Sequence, residues 1–187
     1  MARPKAARYS VSVPKMTNTM RQDSMLSDRR LIPAVILAGS TASLGGAFAF
    51  QYIGGLQPCV LCIWQRWPHG IAIVLAAIAL AYVGRRASGW LLLLAGVVLL
   101  AGGGIAVFHV GVEQHWWAGT SSCGTTIDFR AGTQALTQAL LNAPVVRCDQ
   151  VAWSLFGISM AGYNALLSLG LGALGVFAGL RRRGEKR

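Results

Sequence analysis

Residues 90–110 have the sequence Trp-Leu-Leu-Leu-Leu-Ala-Gly-Val-Val-Leu-Leu-Ala-Gly-Gly-Gly-Ile-Ala-Val-Phe-His-Val, without a single Lys, Arg, Asp or Glu. As an α-helix, a stretch of this length crosses a bilayer, whose hydrocarbon core needs roughly 20 apolar residues. Three further apolar stretches, at about 31–50, 67–83 and 156–180, also qualify. All four contain many Gly, Ala or Ser residues, which allow transmembrane helices to pack closely. The sequence therefore predicts an all-α membrane protein, a bundle of four transmembrane helices.

The composition of the 187-residue chain supports this fold class. Hydrophobic residues make up 54% and charged residues 12%, whereas soluble domains are about 25% charged. The net charge of +11 does not indicate a nucleic-acid partner, because the basic residues flank apolar stretches and do not alternate with aromatic residues on one surface. We therefore expect lipid, and no nucleic acid, around this chain.

The positions of Lys and Arg predict the orientation of the helices. Fourteen of the 17 basic residues lie in residues 1–30, in the loop at 84–89 and in residues 181–187. Basic loops stay in the cytoplasm, so both termini are predicted to be cytoplasmic and the loops at about 51–66 and 111–155 external. A transmembrane domain over residues 31–180 is then flanked by two basic tails, of which the polar residues 1–30 are expected to be disordered.

The first apolar stretch has a second interpretation. Basic residues followed by an apolar segment are also typical of a cleaved signal peptide. Residues 31–50 are rather long for that purpose, and their removal would leave three spans and break the charge pattern. Four spans are the prediction that agrees with both observations.

All four cysteines fall in the two predicted external loops, Cys59 and Cys62 in the first and Cys123 and Cys148 in the second. An even number of cysteines outside the cytoplasm favours disulfides. Cys59 and Cys62 form a C-x-x-C motif, whose thiols are often acidic and active in exchange. Zinc binding and inert structural disulfides are the alternatives, although a second closely spaced pair, typical of zinc sites, is missing. We predict two redox-active pairs and no metal.

Arg66 lies at the expected membrane edge, where a charged residue usually has a partner or a function. If the second helix already includes Cys62, Arg66 follows one turn later on the same face, and its charge would favour a thiolate at Cys62. Pro68 fits best in the first turn of a helix, which favours a start nearer Gln65. The relation of Arg66 to Cys62 therefore depends on where the helix begins.

The second external loop contains two further features. Residues 134–142 predict a short amphipathic helix that could lie on the membrane surface. Cys123 lies in a segment rich in Gly, Ser and Thr, so we expect it to be exposed and accessible to another protein.

Two segments resemble a known family. Residues 56–66, Leu-Gln-Pro-Cys-Val-Leu-Cys-Ile-Trp-Gln-Arg, closely resemble the signature of the bacterial disulfide-bond formation protein B family, DsbB. A second segment is similar to that family's entry to the fourth helix. It consists of Cys148-Asp149 and of residues 153–164, Trp-Ser-Leu-Phe-Gly-Ile-Ser-Met-Ala-Gly-Tyr-Asn. The resemblance covers about residues 31–180.

The resemblance implies an enzyme of the bacterial inner membrane that reoxidises a periplasmic thioredoxin-fold protein of the DsbA type and reduces a quinone, either ubiquinone or menaquinone. It implies that Cys123 is attacked by the partner's thiolate and that Cys148 is its resolving partner. Cys59 would exchange with Cys148, Cys62 would donate to the quinone, and Arg66 would orient and polarise the quinone. Each exchange step needs one thiolate and one accessible sulfur.

The chain departs from the family pattern at Gln65, where some members carry an acidic residue. A histidine before the second cysteine pair is also implicated in parts of the family, and His109 and His115 compete for that place. His109 is the better placed of the two for a quinone contact, because it lies at the outer end of the third span; the alternative is a hydrogen-bonding role at the membrane interface. We also expect His69 at the interface. The alternative functions are a vitamin K epoxide reductase-like protein, which usually carries its C-x-x-C in a later helix, and a non-enzymatic membrane protein with static disulfides.

Overall fold

The computed structural model describes residues 16–120, 123, 137 and 146–184. Its helices are α1 (Met16–Tyr52), α2 (Val60–Ala81), α3 (Arg86–Glu113) and α4 (Met160–Gly184), and a hairpin of β1 (Ser154–Leu155) and β2 (Ile158–Ser159) precedes α4. Within this described part, four helical segments are long and apolar enough to cross a membrane, with bounds Arg29–Tyr52, Val60–Ala81, Arg86–Glu113 and Met160–Gly184. The predicted four-helix transmembrane bundle is confirmed.

Glycine contacts determine how closely α3 approaches α4. A Cβ atom added to Gly96 would lie 2.5 Å from the backbone nitrogen of Val176, and one added to Gly179 would lie 2.7 Å from the backbone nitrogen of Leu93. Small residues permit this backbone-to-backbone packing, which drives association between helices within lipid. Helix α3 also packs against α2, and α1 packs mainly against α2.

The start of α2 differs from the predicted start of the second span at residue 67. Cys59 has an extended backbone and caps the helix, which begins at Val60. Pro68 therefore lies inside α2, where it removes one hydrogen bond of the helix. Its ring faces Gly102 of α3, where an added Cβ would lie 2.7 Å away, so α3 accommodates the proline.

Two other boundaries also differ from the expected ones. Helix α1 begins at Met16, inside the segment expected to be disordered, because no Gly or Pro interrupts the chain between Met16 and Ile32. Helix α4 begins at Met160 and not near residue 156, because Phe156 and Gly157 adopt positive φ angles of 51° and 78°. These angles form the two-residue turn between β1 and β2.

Two buried clusters lie at different depths of the bundle. The cluster in the middle is aliphatic and includes Ile36, Leu92 and Leu99. The other cluster contains the four cysteines together with Leu61 and Val112. Because successive helices alternate in direction, the loops after α1 and after α3 meet at one end of the bundle, and the cysteines of both loops come together there.

Candidate active site

Cys59 and Cys62 are two thiols at the beginning of α2. Their Sγ atoms are 2.9 Å apart, and the backbone N–H of Cys62 donates to Sγ of Cys59 at 3.3 Å. Cys59 thus acts as the cap of α2, where the positive end of the helix dipole favours negative charge. Helix α2 includes both Cys62 and Arg66, so Arg66 follows Cys62 by one helical turn.

The electrostatic surroundings favour a thiolate at Cys59. The pKa of the Cys59 thiol is lowered to about 4, because its hydrogen bonds with the Cys62 side chain and, to a smaller extent, with His109 favour the thiolate more than burial opposes it. Nε2 of His109 lies 3.6 Å from Sγ of Cys59. The sequence predicts the thiolate at Cys62, whereas in the structure the groups that stabilise negative charge converge on Cys59.

Arg66 does not contact Cys62 because its guanidinium is engaged elsewhere. Nη1 donates to Oε1 of Gln51 at 2.6 Å, and the guanidinium lies over the ring of Phe48, 5.0 Å from its centroid. Both partners belong to α1, so Arg66 connects α1 to α2. Its Nε atom is buried and has no hydrogen-bond partner among the described residues.

Cys123 and Cys148 form a disulfide with a Cα–Cα distance of 5.2 Å. Cys148 is completely buried and Cys123 is 8% exposed, so the expected exposure of Cys123 is wrong. The two residues pack beside Cys59, Leu61 and Val112 in one cluster. Burial follows from this packing, which the polar composition of the loop did not indicate.

His109 is buried and lies beside both cysteine pairs. Besides its contact with Cys59, its ring lies against the backbone of Cys148. Nδ1 is 2.8 Å from Nε2 of Gln65, and Nε2 is 3.9 Å from the carboxylate of Glu113, which accepts a hydrogen bond from Ser159. His115 is exposed, so the structure places His109, and not His115, at the thiol pair.

A cavity of about 370 Å³ lies beside the thiol pair. Its walls are mainly apolar side chains of α1, α4 and the segment before α4, such as Leu44, Phe50 and Trp153. The polar and sulfur-containing groups along it are Ser43, Gln57, Cys62, Gln65, Arg66, His69, His109, Met160, Tyr163 and Asn164. A largely apolar cavity with a few placed polar groups is the usual form of a site for a small organic molecule.

His69 and Asn164 are parts of this site that the sequence analysis did not assign to it. His69 was expected at the interface, but it is 2% exposed, and its Nε2 lies 2.7 Å from Oδ1 of Asn164. Nδ2 of Asn164 in turn donates to Oε1 of Gln65 at 2.5 Å. The available signal was the presence of polar side chains inside apolar stretches, which in membrane proteins usually face the bundle interior.

The donor atoms of Cys59, Cys62 and His109 lie within 4.8 Å of one another, a grouping that could hold a metal ion. Two thiolates bound to one tetrahedral zinc are about 3.7 Å apart, given Zn–S bonds of about 2.3 Å. The observed separation of 2.9 Å is shorter, and it favours a pair of thiols that forms a disulfide. With a thiolate beside a disulfide, the site is suited to thiol–disulfide exchange.

The family model described as "Disulfide bond formation protein DsbB" matches residues 29–178. A "Disulfide bond formation protein B" of Saccharophagus degradans is 31% identical over 163 residues, which cover 84% of this chain and 96% of the relative. One of Xylella fastidiosa is 29% identical over 78% of this chain and 87% of the relative. An uncharacterized protein of Rickettsia prowazekii is 28% identical over 81% of this chain and 86% of the relative. No solved structure matches the chain.

Proposed function

Because the chain belongs to the disulfide bond formation protein DsbB family, we propose that it reoxidises a DsbA-type protein and passes the electrons to a membrane quinone. Family membership makes it a multi-pass membrane protein and a disulfide oxidoreductase. The thioredoxin-fold partner and the quinone, ubiquinone or menaquinone, are the proposed extensions.

The observation that carries the proposal is the cavity beside Cys62. A quinone ring is flat and apolar, and its oxygens accept hydrogen bonds. The cavity offers apolar walls and a hydrogen-bond donor, the buried Nε of Arg66, which has no partner among the described residues. Arg66 and His109 would hold the ring next to Cys62. When bound, a quinone accepts two electrons and two protons, which is the number that the two thiols release on forming a disulfide.

The cysteines of this chain provide the two ends of the relay. We assign Cys123 to exchange with the partner and Cys148 to its resolution, after which Cys148 exchanges with Cys59 and the electrons reach Cys62. Cys59 and Cys62 are thiols while Cys123 and Cys148 are joined. The packing of both pairs in one cluster supports the exchange between them.

The proposed location is the bacterial inner membrane, with the cysteine end of the bundle in the periplasm and both termini in the cytoplasm. It is supported by the distribution of Lys and Arg, of which 14 of 17 lie in the termini and in residues 84–89, where α2 is connected to α3. In this arrangement residues 31–180 form the transmembrane domain, and residues 1–30 and 181–187 are cytoplasmic extensions. A soluble periplasmic partner then meets the chain only at its cysteine end.

Quinone reduction by the purified protein tests the proposal. Reduced DsbA-type protein and a water-soluble quinone are supplied, and quinone absorbance is followed. Cys62→Ser and Cys123→Ser are expected to abolish turnover, whereas Gly104→Ala, on the open side of α3, retains it. In Cys148→Ser, a mixed disulfide between Cys123 and the partner should accumulate.

Two outcomes would refute this function. One is a wild-type protein that does not reduce quinone when given the reduced partner. The other is full turnover in Cys62→Ser, which is what a protein with static disulfides predicts.

A further inference from the structure

A chain of polar side chains, buried except for the half-buried Asn164, runs from the thiol pair into the middle of the bundle. From Sγ of Cys59 it passes to Nε2 of His109 at 3.6 Å, and from Nδ1 of His109 to Nε2 of Gln65 at 2.8 Å. It continues from Oε1 of Gln65 to Nδ2 of Asn164 at 2.5 Å and from Oδ1 of Asn164 to Nε2 of His69 at 2.7 Å. Three helices, α2, α3 and α4, contribute to it.

The chemistry of the amide groups gives this chain a direction. An amide nitrogen only donates and an amide oxygen only accepts. Gln65 therefore donates to Nδ1 of His109, which must carry a lone pair, and the ring hydrogen of His109 is left on Nε2, facing Cys59. Asn164 donates to Gln65 and accepts from Nε2 of His69, so each hydrogen bond points towards Cys59.

The opposite direction is disfavoured by the inner end of the chain. If both amides were reversed, Asn164 would donate to Nε2 of His69, and the ring hydrogen of His69 would move to Nδ1. That atom is buried and has no hydrogen-bond partner within the described part of the chain, and a buried N–H without an acceptor is rare in proteins. In the observed direction the same atom carries only a lone pair.

We propose that Gln65, Asn164 and His69 are positioning residues that hold His109 in the tautomer with hydrogen on Nε2, so that His109 stabilises Cys59 as a thiolate. Hydrogen bonds aligned head to tail polarise one another in a low-dielectric interior, so the inner residues act on Cys59 through His109. The proposal rests on the proposed function, because it assigns this thiolate to the exchange reaction.

The other titratable groups near Cys59 do not replace this role. Cys62 lies on the same helix and contributes its own hydrogen bond to Cys59. Glu113 of α3 is 3.9 Å from Nε2 of His109, too far to accept its hydrogen, and it is held by Ser159. The nearby Cys123 and Cys148 are joined as a disulfide and do not titrate.

The test is the pH profile of alkylation at Cys59, measured on the reduced full-length protein in detergent with neutral iodoacetamide and site-resolved mass spectrometry. Gln65→Met, which keeps the length of the side chain but donates nothing, is expected to raise the pKa of Cys59 by at least one unit. Asn164→Leu should raise it less, because it acts through Gln65. The matched control is Ser40→Ala, which removes a buried hydroxyl of α1 that has no hydrogen-bond partner among the described residues.

A second measurement follows the tautomer directly. Ring-nitrogen NMR of histidine-labelled protein should show the hydrogen of His109 on Nε2 in the wild type, and a redistribution to Nδ1 in Gln65→Met. An unchanged alkylation profile in Gln65→Met, or an equal shift in Ser40→Ala, would overturn the proposal. Neither measurement requires partner or quinone, so a failure here is distinguishable from a failure of the proposed quinone reduction.

Discussion

The contact between α3 and α4 predicts how much a single methyl group destabilises the bundle. Gly96 is buried, and a Cβ atom there would lie 2.5 Å from the backbone nitrogen of Val176 and 2.7 Å from the carbonyl oxygen of Gly172. Backbone atoms cannot rotate away as a side chain can. The substitution Gly96→Ala must therefore move the two helices apart.

The required movement is about 1 Å, since non-bonded contacts are most favourable at about 3.5–4.0 Å. Overpacking of this kind costs about 1–3 kcal/mol, while replacing a helical glycine by alanine contributes up to about 1 kcal/mol in the opposite sense. Gly104→Ala receives the same helix benefit, but its Cβ meets nothing within 4 Å. The difference in unfolding free energy between the two variants should therefore be about 1–3 kcal/mol.

The free energy of unfolding can be measured by titrating SDS into protein in mild detergent and following helicity by circular dichroism. We expect Gly96→Ala to unfold at a lower SDS fraction than the wild type, and Gly104→Ala to unfold at the same or a higher one. Since α3 carries His109 and α4 carries Asn164, Gly96→Ala should also weaken the site. Equal stability of the two variants would show that α3 and α4 do not approach as closely as described.

Three further predictions concern the site. Because the pKa of Cys59 is lowered to about 4, the thiolate persists above that pH. Alkylation of Cys59 should therefore stay fast down to about pH 5 and slow as the pH falls through 4. A midpoint of the alkylation profile near the ordinary pKa of 9.0 would contradict this prediction. Arg66→Met should raise the KM for quinone about 10–100-fold, because a hydrogen bond to a charged group contributes about 1.5–3 kcal/mol. Arg66→Lys should raise it less. An unchanged KM in steady-state kinetics would argue against a quinone contact at Arg66. Treatment with EDTA and desalting should leave turnover unchanged, and a loss that zinc restores would favour a metal site at Cys59, Cys62 and His109.

The transmembrane character and the number of spans could be predicted from the sequence because they depend on local properties. The length of an apolar stretch, such as residues 90–110, decides whether a helix can cross a bilayer, whatever packs beside it. Because the four spans alternate in direction, the loops after α1 and after α3 must lie at the same end of the bundle. The gathering of Cys59, Cys62, Cys123 and Cys148 at that end follows from this alternation alone.

Helix boundaries were less predictable because they depend on caps and turns. Pro68 favoured a late start of α2, yet the capping hydrogen bond at Cys59 and the space beside Gly102 permit the proline inside the helix. The predicted amphipathic helix at 134–142 lies outside the described residues, except for Thr137.

The tertiary structure alone decided which groups act on one another in the site. The partner of Arg66 is Gln51, 15 positions earlier, and Gln65 meets Asn164, 99 positions later. No local period or spacing encodes such contacts, because they arise from the way whole helices pack. The same packing buries Cys123 and His69, selects His109 over His115, and directs the stabilising hydrogen bonds to Cys59. The sequence alone thus determined that this is a membrane protein with paired thiols at one end, and the packing of its helices determined which side chains surround each sulfur.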